Sequence, residues 1–402
     1  MPTPSDSSSQ SVAIRCGAAS STQPQLAEAI EAACRDAAAQ LGGCRPDLAV
    51  VFVSAARGVD VRPTLEGLPD LIDAGCLIGT TAEAVLANAE EFEEGPAVAV
   101  WLASLPGASL TPLALDYSQT ADGGTFLGWP DDLSWPTDAA LLLLADPFSF
   151  PVDKLISRLD EDRPGLPIIG GMASGGGRPG SNTLMIDGQT YDSGAIGVVV
   201  GGGVRLRPVV SQGCRPIGQP FVVTRAEDNM LCQLGGRPAF AQLQALYGTL
   251  NDHDRQLVRS SLHVGRVASE YQDRFERGDF LVRNVVGADP ETGVVAVGDC
   301  IRTGQTVQFH VRDAETAHDD LVALLARPAD RRPAGGLVFT CNGRGSRMFE
   351  TASHDARCIQ DELGPLPVAG FFAQGEIGPI GSKNCLHGFT ASIALFEPAG
   401  AE

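Results

Sequence analysis

The sequence predicts an α/β fold with mixed sheets, built from a repeated strand–helix–strand–strand unit and divided into two halves. Short apolar runs alternate with amphipathic stretches along most of the chain. Three of those runs, Val51-Phe52-Val53, Leu142-Leu143-Leu144 and Val338-Phe339-Thr340, are each followed by a strand that carries G-x-x-A: CLIGTTAE at 76–83, PIIGGMAS at 167–174 and PVAGFFAQ at 367–374. Phe52 to Gly79 and Leu143 to Gly170 both span 27 residues, and Phe339 to Gly370 spans 31. Each unit closes on a further apolar strand, at 97–102, 195–200 and 390–396. Repetition of this kind marks one supersecondary module used several times, with the loops after equivalent strands on one side.

In chain order, a strand at 12–16 precedes a helix at 25–41. There Leu26, Ala29, Ile30, Ala33, Ala37 and Leu41 recur at helical spacing, and Gly42 and Gly43 stop it. A strand at 48–53, a helical or turn-rich stretch to Ala74, a strand ending at Gly79 and a strand at 97–102 complete the first unit. After the second unit, 204–223 reads as two strands joined through a Gly/Pro turn, and 237–247 as a helix. The runs 281–286 and 294–297 form a hairpin across ADPETG, 307–311 is a strand and 317–325 a helix. The third unit opens on a strand at 337–340 and a Gly-broken loop with Cys341, Asn342 and Arg344. A helix, the strand closing on Gly370, a polar loop and a last strand at 389–396 follow. The polar span 247–277 lies near the boundary between halves. The expected division is a leading segment 1–44, a first domain 45–240, a second domain 241–396 and a tail 397–402.

At 402 residues, 44 % apolar and 19 % charged, the chain has the make-up of a globular protein of more than one domain. A formal charge of −20 opposes binding to phosphate backbones and anionic lipid, so neither nucleic acid nor membrane is an expected partner. The opening MPTPSDSSSQ has no basic n-region or apolar h-region, and the run 194–204 is about half the roughly 18 residues that span a bilayer. A cytoplasmic location is expected. Ten cysteines show no CxxC and no paired Cys/His spacing of zinc-site type, so neither disulfides nor a metal is expected.

Gly175, Gly177 and Gly180 satisfy GxGxxG, yet TLMI follows rather than a helix, which leaves a pyrophosphate without a helix N-terminus. Gly343-Arg344-Gly345 directly follows a strand; backbone N–H groups there suit an anion and Arg344 can fork onto a carboxylate, although a tight turn with a solvent-facing Arg reads equally well. Cys341 with His354 or His387 allows a Cys/His nucleophile, and a buried unreactive Cys is the simpler reading. The six histidines, at 253, 263, 310, 318, 354 and 387, contain no HxxxH or HExxH, although one axial His suffices for haem. Glu376, in QGEIGPIG, is the sole carboxylate of its loop and suits an amine or hydroxyl ligand, or a capping role.

GLVFTCNGRG (336–345), LPVAGFFAQGEIGPIG (366–381) and LHGFTASIALF (386–396) resemble the C-terminal half of the FIST family of bacterial sensory proteins. GCRPIGQPFVVT (213–224) and the Gly-rich strand region 194–203 resemble its N-terminal half. The resemblance implies two halves, FIST N and FIST C, and a sensory protein that binds a small ligand, amino acids included. It also implies that some members bind haem and sense nitric oxide. Partners implied are a separate histidine kinase, a cyclic-dinucleotide enzyme or a receptor, since no output domain fits in the remaining residues. A Cys-dependent or nucleotide-binding enzyme is the alternative outside the sensor class. Where many relatives read GGxNFLHG, this chain has GSKNCLHG, with Cys385 in place of an aromatic. The expected ligand site collects Cys341, Asn342, Gly343, Arg344, Gly345, Gln374, Glu376, Asn384 and His387, with Arg344 on a carboxylate and Glu376 on an amine.

Overall fold

The computed structural model describes residues 13–56, 58–120, 123–271, 274–329 and 331–399. The predicted strand at 12–16 begins inside that range, as Arg15–Ser21; Val12 lies outside the described residues.

Three six- or seven-stranded mixed sheets each hold one repeated module. In the first, Leu48–Ser54 pairs parallel with Cys76–Thr81 and antiparallel with Ala97–Ser104, which pairs with Arg15–Ser21. In the second, Ala140–Ala145, Ile168–Met172, Ala195–Gly202 and Ala108–Ser118 take the same places. In the third they are Gly335–Cys341, Val368–Ala373, Thr390–Pro398 and Val204–Gln212. The repeat is therefore real, with one correction of register. Gly79, Gly170 and Gly370 lie opposite Val51, Leu143 and Val338. Phe52, Leu144 and Phe339 are thus the equivalent inward positions, and the second unit moves one residue from its sequence alignment.

The glycines have a steric cause. A Cβ added at Gly79, Gly170 or Gly370 would stand 2.5, 1.8 or 1.9 Å from the carbonyl oxygen of Val51, Leu143 or Val338, backbone atoms that cannot rotate away.

What the sequence reading missed is a hairpin in each module, between its G-x-x-A strand and its last strand. Each hairpin leaves its own sheet and covers the edge of a neighbour. Val85–Ala87 with Glu90–Phe92 joins the third sheet, Leu184–Ile186 with Gln189–Tyr191 joins the first, and Glu376–Ile380 with Lys383–His387 joins the second. The three exchanges close a ring, and they protect edges that would otherwise offer unpaired backbone groups. The expected polar loop around Glu376 is one of these hairpins.

Inward faces meet in a common core that includes Phe52, Leu144, Phe339 and Phe371, with Phe52 packed 5.1 Å from Phe371 and 6.4 Å from Phe339. Outward faces lie under helices: Leu26–Ala39 on the first sheet, Val152–Asp162 on the second, Ala314–Leu325 and His354–Leu363 on the third. Burial on both faces explains why the strands read as unbroken apolar runs.

Between Gln212 and helix Ala314–Leu325 the third module is interrupted by an antiparallel sheet. Its order is Cys214–Glu227, Thr306–Arg312, Leu262–Val267, Phe280–Asp289, Val294–Val297, Met230–Leu234 and Arg237–Pro238. A further pairing of Cys214–Glu227 with Met230–Leu234 closes it into a barrel around Val223, Val295, Phe309 and Val311. The polar span 247–277, expected to be helical or irregular, holds helix Asp252–Ser261 and the barrel strand Leu262–Val267. No helix among the described residues is long and apolar enough to cross a membrane.

Candidate functional site

The residues that follow G-x-x-A in the three modules, Glu83, Ser174 and Gln374, all line one cleft of ≈ 1100 Å³. Ala55 and Asn342, which follow the first parallel strands of modules one and three, line it too. Gly175–Gly177, Arg178 and Ser181 form one wall, and Asp60 and Arg62 another. The C-terminal ends of five of the six parallel strands thus open onto one space, the usual place for ligands in open α/β sheets. The lip is hydrogen-bonded across modules. Ser174 Oγ accepts from Glu83 N at 2.9 Å and donates to the Phe372 carbonyl, and Gln374 N donates to the Met172 carbonyl at 3.1 Å. The GxGxxG stretch lies in this wall and leads to strand Leu184–Ile186, so it has no helix N-terminus behind it.

Of the expected site residues, Asn342 and Gln374 reach the cleft; the others do not line it. Arg344 is fully buried, and its fork is filled by Asp355: Nε and Nη2 donate to Oδ2 and Oδ1, both at 2.7 Å. Thr340 Oγ1 donates to the same carboxylate at 2.6 Å. Burial pushes the Asp355 carboxyl up, but the charge and hydrogen bonds of Arg344 outweigh it and leave the group below the ordinary carboxylate range. The two donors expected to fork onto a ligand carboxylate are thus taken by the protein's own Asp355, while Arg344 Nη1 is buried without a hydrogen-bond partner. The anion cradle expected at Gly343 and Gly345 is likewise filled. Glu93, just past the first module's hairpin, accepts from Ser346 N at 2.8 and 3.0 Å, and a Cβ on Gly345 (φ +57°) would meet its carboxylate at 2.6 Å. The Gly343 carbonyl accepts from Arg312 Nη1 at 3.1 Å.

Glu376 is buried on the hairpin, where Oε2 accepts from Thr390 N at 3.0 Å and Thr390 Oγ1 at 2.8 Å. Burial, only partly offset by those bonds, pushes its carboxyl up to about 8, so it is mostly neutral at pH 7 and is no counter-charge for an amine. Its Oε1 is buried without a hydrogen-bond partner. Cys341 is buried; desolvation, and then the Glu376 charge, push its thiol well above the usual range. At neutral pH Cys341 is a thiol and lacks the thiolate character of a nucleophile.

Asn384 and His387 lie at the far side of the hairpin. Asn384 Oδ1 accepts from Ile168 N at 2.8 Å, and its Nδ2 donates to Asp160 and to the Leu166 carbonyl, which pins the hairpin onto the second module. His387 is buried with Nε2 3.0 Å from the Gly378 carbonyl, and burial lowers its pKa to about 4.

The other five histidines are spread over the barrel and the third module. His310 is wedged so tightly that a Cβ on Gly265 would be 2.4 Å from its ring, and His263 packs 4.4 Å from Phe389. His253 stands on an exposed helix, and His318 and His354 face each other. His310 Nε2 is buried without a hydrogen-bond partner.

Two family profiles match consecutive parts of the chain: the FIST N domain over residues 47–237 and the FIST C domain over 239–379. The chain belongs to the FIST family. The junction between the two matched segments falls inside the barrel, next to helix Ala239–Thr249, so the third module draws strands from both. An uncharacterized protein of Mycobacterium tuberculosis is 42 % identical over 386 residues, covering 95 % of this chain and all of the relative, and one of Mycobacterium bovis is equally similar over 99 % of its length. An F-box/LRR-repeat protein of Arabidopsis thaliana is 30 % identical over 105 residues, 24 % of this chain and 20 % of that protein. The signal that could have found the FIST cleft from sequence is the residue after each G-x-x-A, polar in all three copies.

Proposed function

We propose that this FIST protein is a sensory protein, not an enzyme, whose input is a small polar molecule bound in the cleft between the three modules. The observation that carries this reading is the convergence of Glu83, Ser174 and Gln374, three equivalent positions, with Asn342 on one polar space. Asn342 and Gln374 offer amide donors and acceptors, the glycines at 175–177 allow backbone to approach a ligand, and Asp60, Glu83, Arg62 and Arg178 bring both signs of charge to the lining. Mixed charge at that scale suits a zwitterion, so amino acids are the class to try first. Because the walls come from different modules, a ligand that touches all three favours one arrangement of the ring by its differential affinity for it. A separate kinase, cyclic-dinucleotide enzyme or receptor would read that arrangement from the surface.

The test is calorimetric titration of the purified chain with amino acids and related metabolites. One class should bind, and Gln374→Ala and Asn342→Ala should each weaken it about tenfold, the worth of one good hydrogen bond. Binding that both variants leave unchanged, or none at all from the whole panel, defeats the proposal.

A further inference from the structure

We infer that His318, His354 and Cys358 form a binding site for a divalent transition metal of the zinc class. Their ligand atoms already converge. His318 Nδ1 lies 3.1 Å from His354 Nε2, and Cys358 Sγ lies 3.5 Å from the first and 3.8 Å from the second. Zinc holds imidazole nitrogen at about 2.0–2.1 Å and thiolate sulfur at about 2.3 Å, so the edges of a tetrahedral site run roughly 3.3–3.6 Å. The three observed separations bracket that range without any movement of backbone.

Two helices supply the ligands. His354 and Cys358 stand four residues apart on helix His354–Leu363 and so share a face. His318 comes from helix Ala314–Leu325, which packs on the same helix through Leu321, Leu325 and Ile359. His354-x-x-x-Cys358 is not one of the usual zinc-site spacings, and its third partner, His318, lies 36 residues away in the chain.

Independent of those distances, His354 is built as a metal ligand would be. Its Nδ1 donates to Asp355 Oδ1 at 2.9 Å, which fixes the tautomer and aims the Nε2 lone pair at the cluster. Asp355 cannot swing away, because Arg344 and Thr340 hold both of its oxygens. The imidazole also lies flat against Phe349, 3.5 Å between centroids at 6°. Such carboxylate–histidine pairs orient metal ligands and raise their basicity. Two imidazoles and one sulfur select zinc, cobalt or copper over calcium and magnesium, which prefer oxygen. His354 and Cys358 are buried and His318 is exposed, so the fourth position faces solvent and is open to water or an external ligand.

The test uses the full chain, stripped with a chelator and titrated with Co²⁺ alone. Expected is one equivalent bound, with tetrahedral ligand-field bands and a thiolate-to-cobalt charge-transfer band, both erased by Zn²⁺. Cys358→Ser should lose the charge-transfer band, and His318→Ala, a change at an exposed position, should weaken binding at least a hundredfold while the circular dichroism stays as in wild type. No spectral change with micromolar Co²⁺, or a charge-transfer band that survives Cys358→Ser, overturns the assignment. The readout does not depend on the cleft's ligand, so it stands or falls apart from the sensory reading.

Discussion

Glu376 occupies the hairpin position that Val85 and Leu184 fill in the other two modules, opposite Gly171 where they lie opposite Phe371 and Thr80. The third module therefore replaces a core aliphatic with an acid, and burial raises that acid to about 8. A folded pKa above the unfolded value of about 4.3 means that the folded state holds the proton more tightly. The resulting stability is complete below about pH 4.3 and is lost as pH rises through 8, at about 1.4 kcal/mol per pH unit for one proton. His310 and His387, lowered to about 4 by burial, act with the opposite sign: their contribution is complete above about pH 6.5 and is lost as pH falls toward 4. Between pH 6.5 and 8 the histidines are silent, and Glu376 acts together with Glu91, which burial and the nearby Asp355 also raise to about 8. Urea unfolding free energy should fall across that window, and Glu376→Gln should halve the slope. An equally steep slope in the variant would show that Glu376 does not hold a proton when folded. The sequence marked Glu376 as the sole carboxylate of its stretch, but its burial depends on a strand pairing with another module. Arg344 was misread for the same reason: Asp355, which fills its fork, lies on a helix whose packing no local pattern reveals.

Among the elements, the G-x-x-A strands were legible because their glycines answer to a steric demand that repeats. Gly370→Ala would set a Cβ 1.9 Å from the Val338 carbonyl, whereas Gly177 has open space around its missing side chain. Chemical denaturation should therefore find Gly370→Ala destabilised by more than about 3 kcal/mol or unable to fold, and Gly177→Ala within about 0.5 kcal/mol of wild type. Similar losses from both would remove the steric account of the repeat. The one-residue slip in the second unit has a cause in the run ALLLLA, Ala140–Ala145: four identical leucines offer no residue like Phe52 or Phe339 that marks the inward position. The first two hairpins escaped notice because their strands, Val85–Ala87 and Glu90–Phe92 among them, are three residues long, too short for any period to show. They gain their order from the neighbouring sheet, which is a tertiary effect.

At the scale of the whole molecule, the ring and the barrel are separable pieces of architecture, and the sequence concealed this because the barrel interrupts the third module. Strand Val204–Gln212 and strand Gly335–Cys341 belong to one sheet, yet the barrel strands and three α-helices lie between them in the chain. The interruption enters and leaves at one point: Asp313 N donates to the Gly213 carbonyl at 3.2 Å, and Gly213 N donates to the Phe389 carbonyl at 2.8 Å. Chain ends that close together make excision sterically simple, since a short linker restores continuity at little loop-closure cost. The ring keeps its three exchanged hairpins without the barrel, because none of their pairings involves a barrel strand. It loses the bond from Gln212 Nε2 to the Phe280 carbonyl, the Arg312 contact with Gly343 and the packing of His263 on Phe389. Replacing 214–312 with a short Gly/Ser linker should therefore leave one cooperative thermal transition and the near-ultraviolet dichroism of buried Trp101, with a midpoint several degrees lower, as a loss of about 2–3 kcal/mol implies. A non-cooperative melt with no tertiary dichroism would mean that the third module needs the barrel in order to form, and that the ring is not a folding unit of its own.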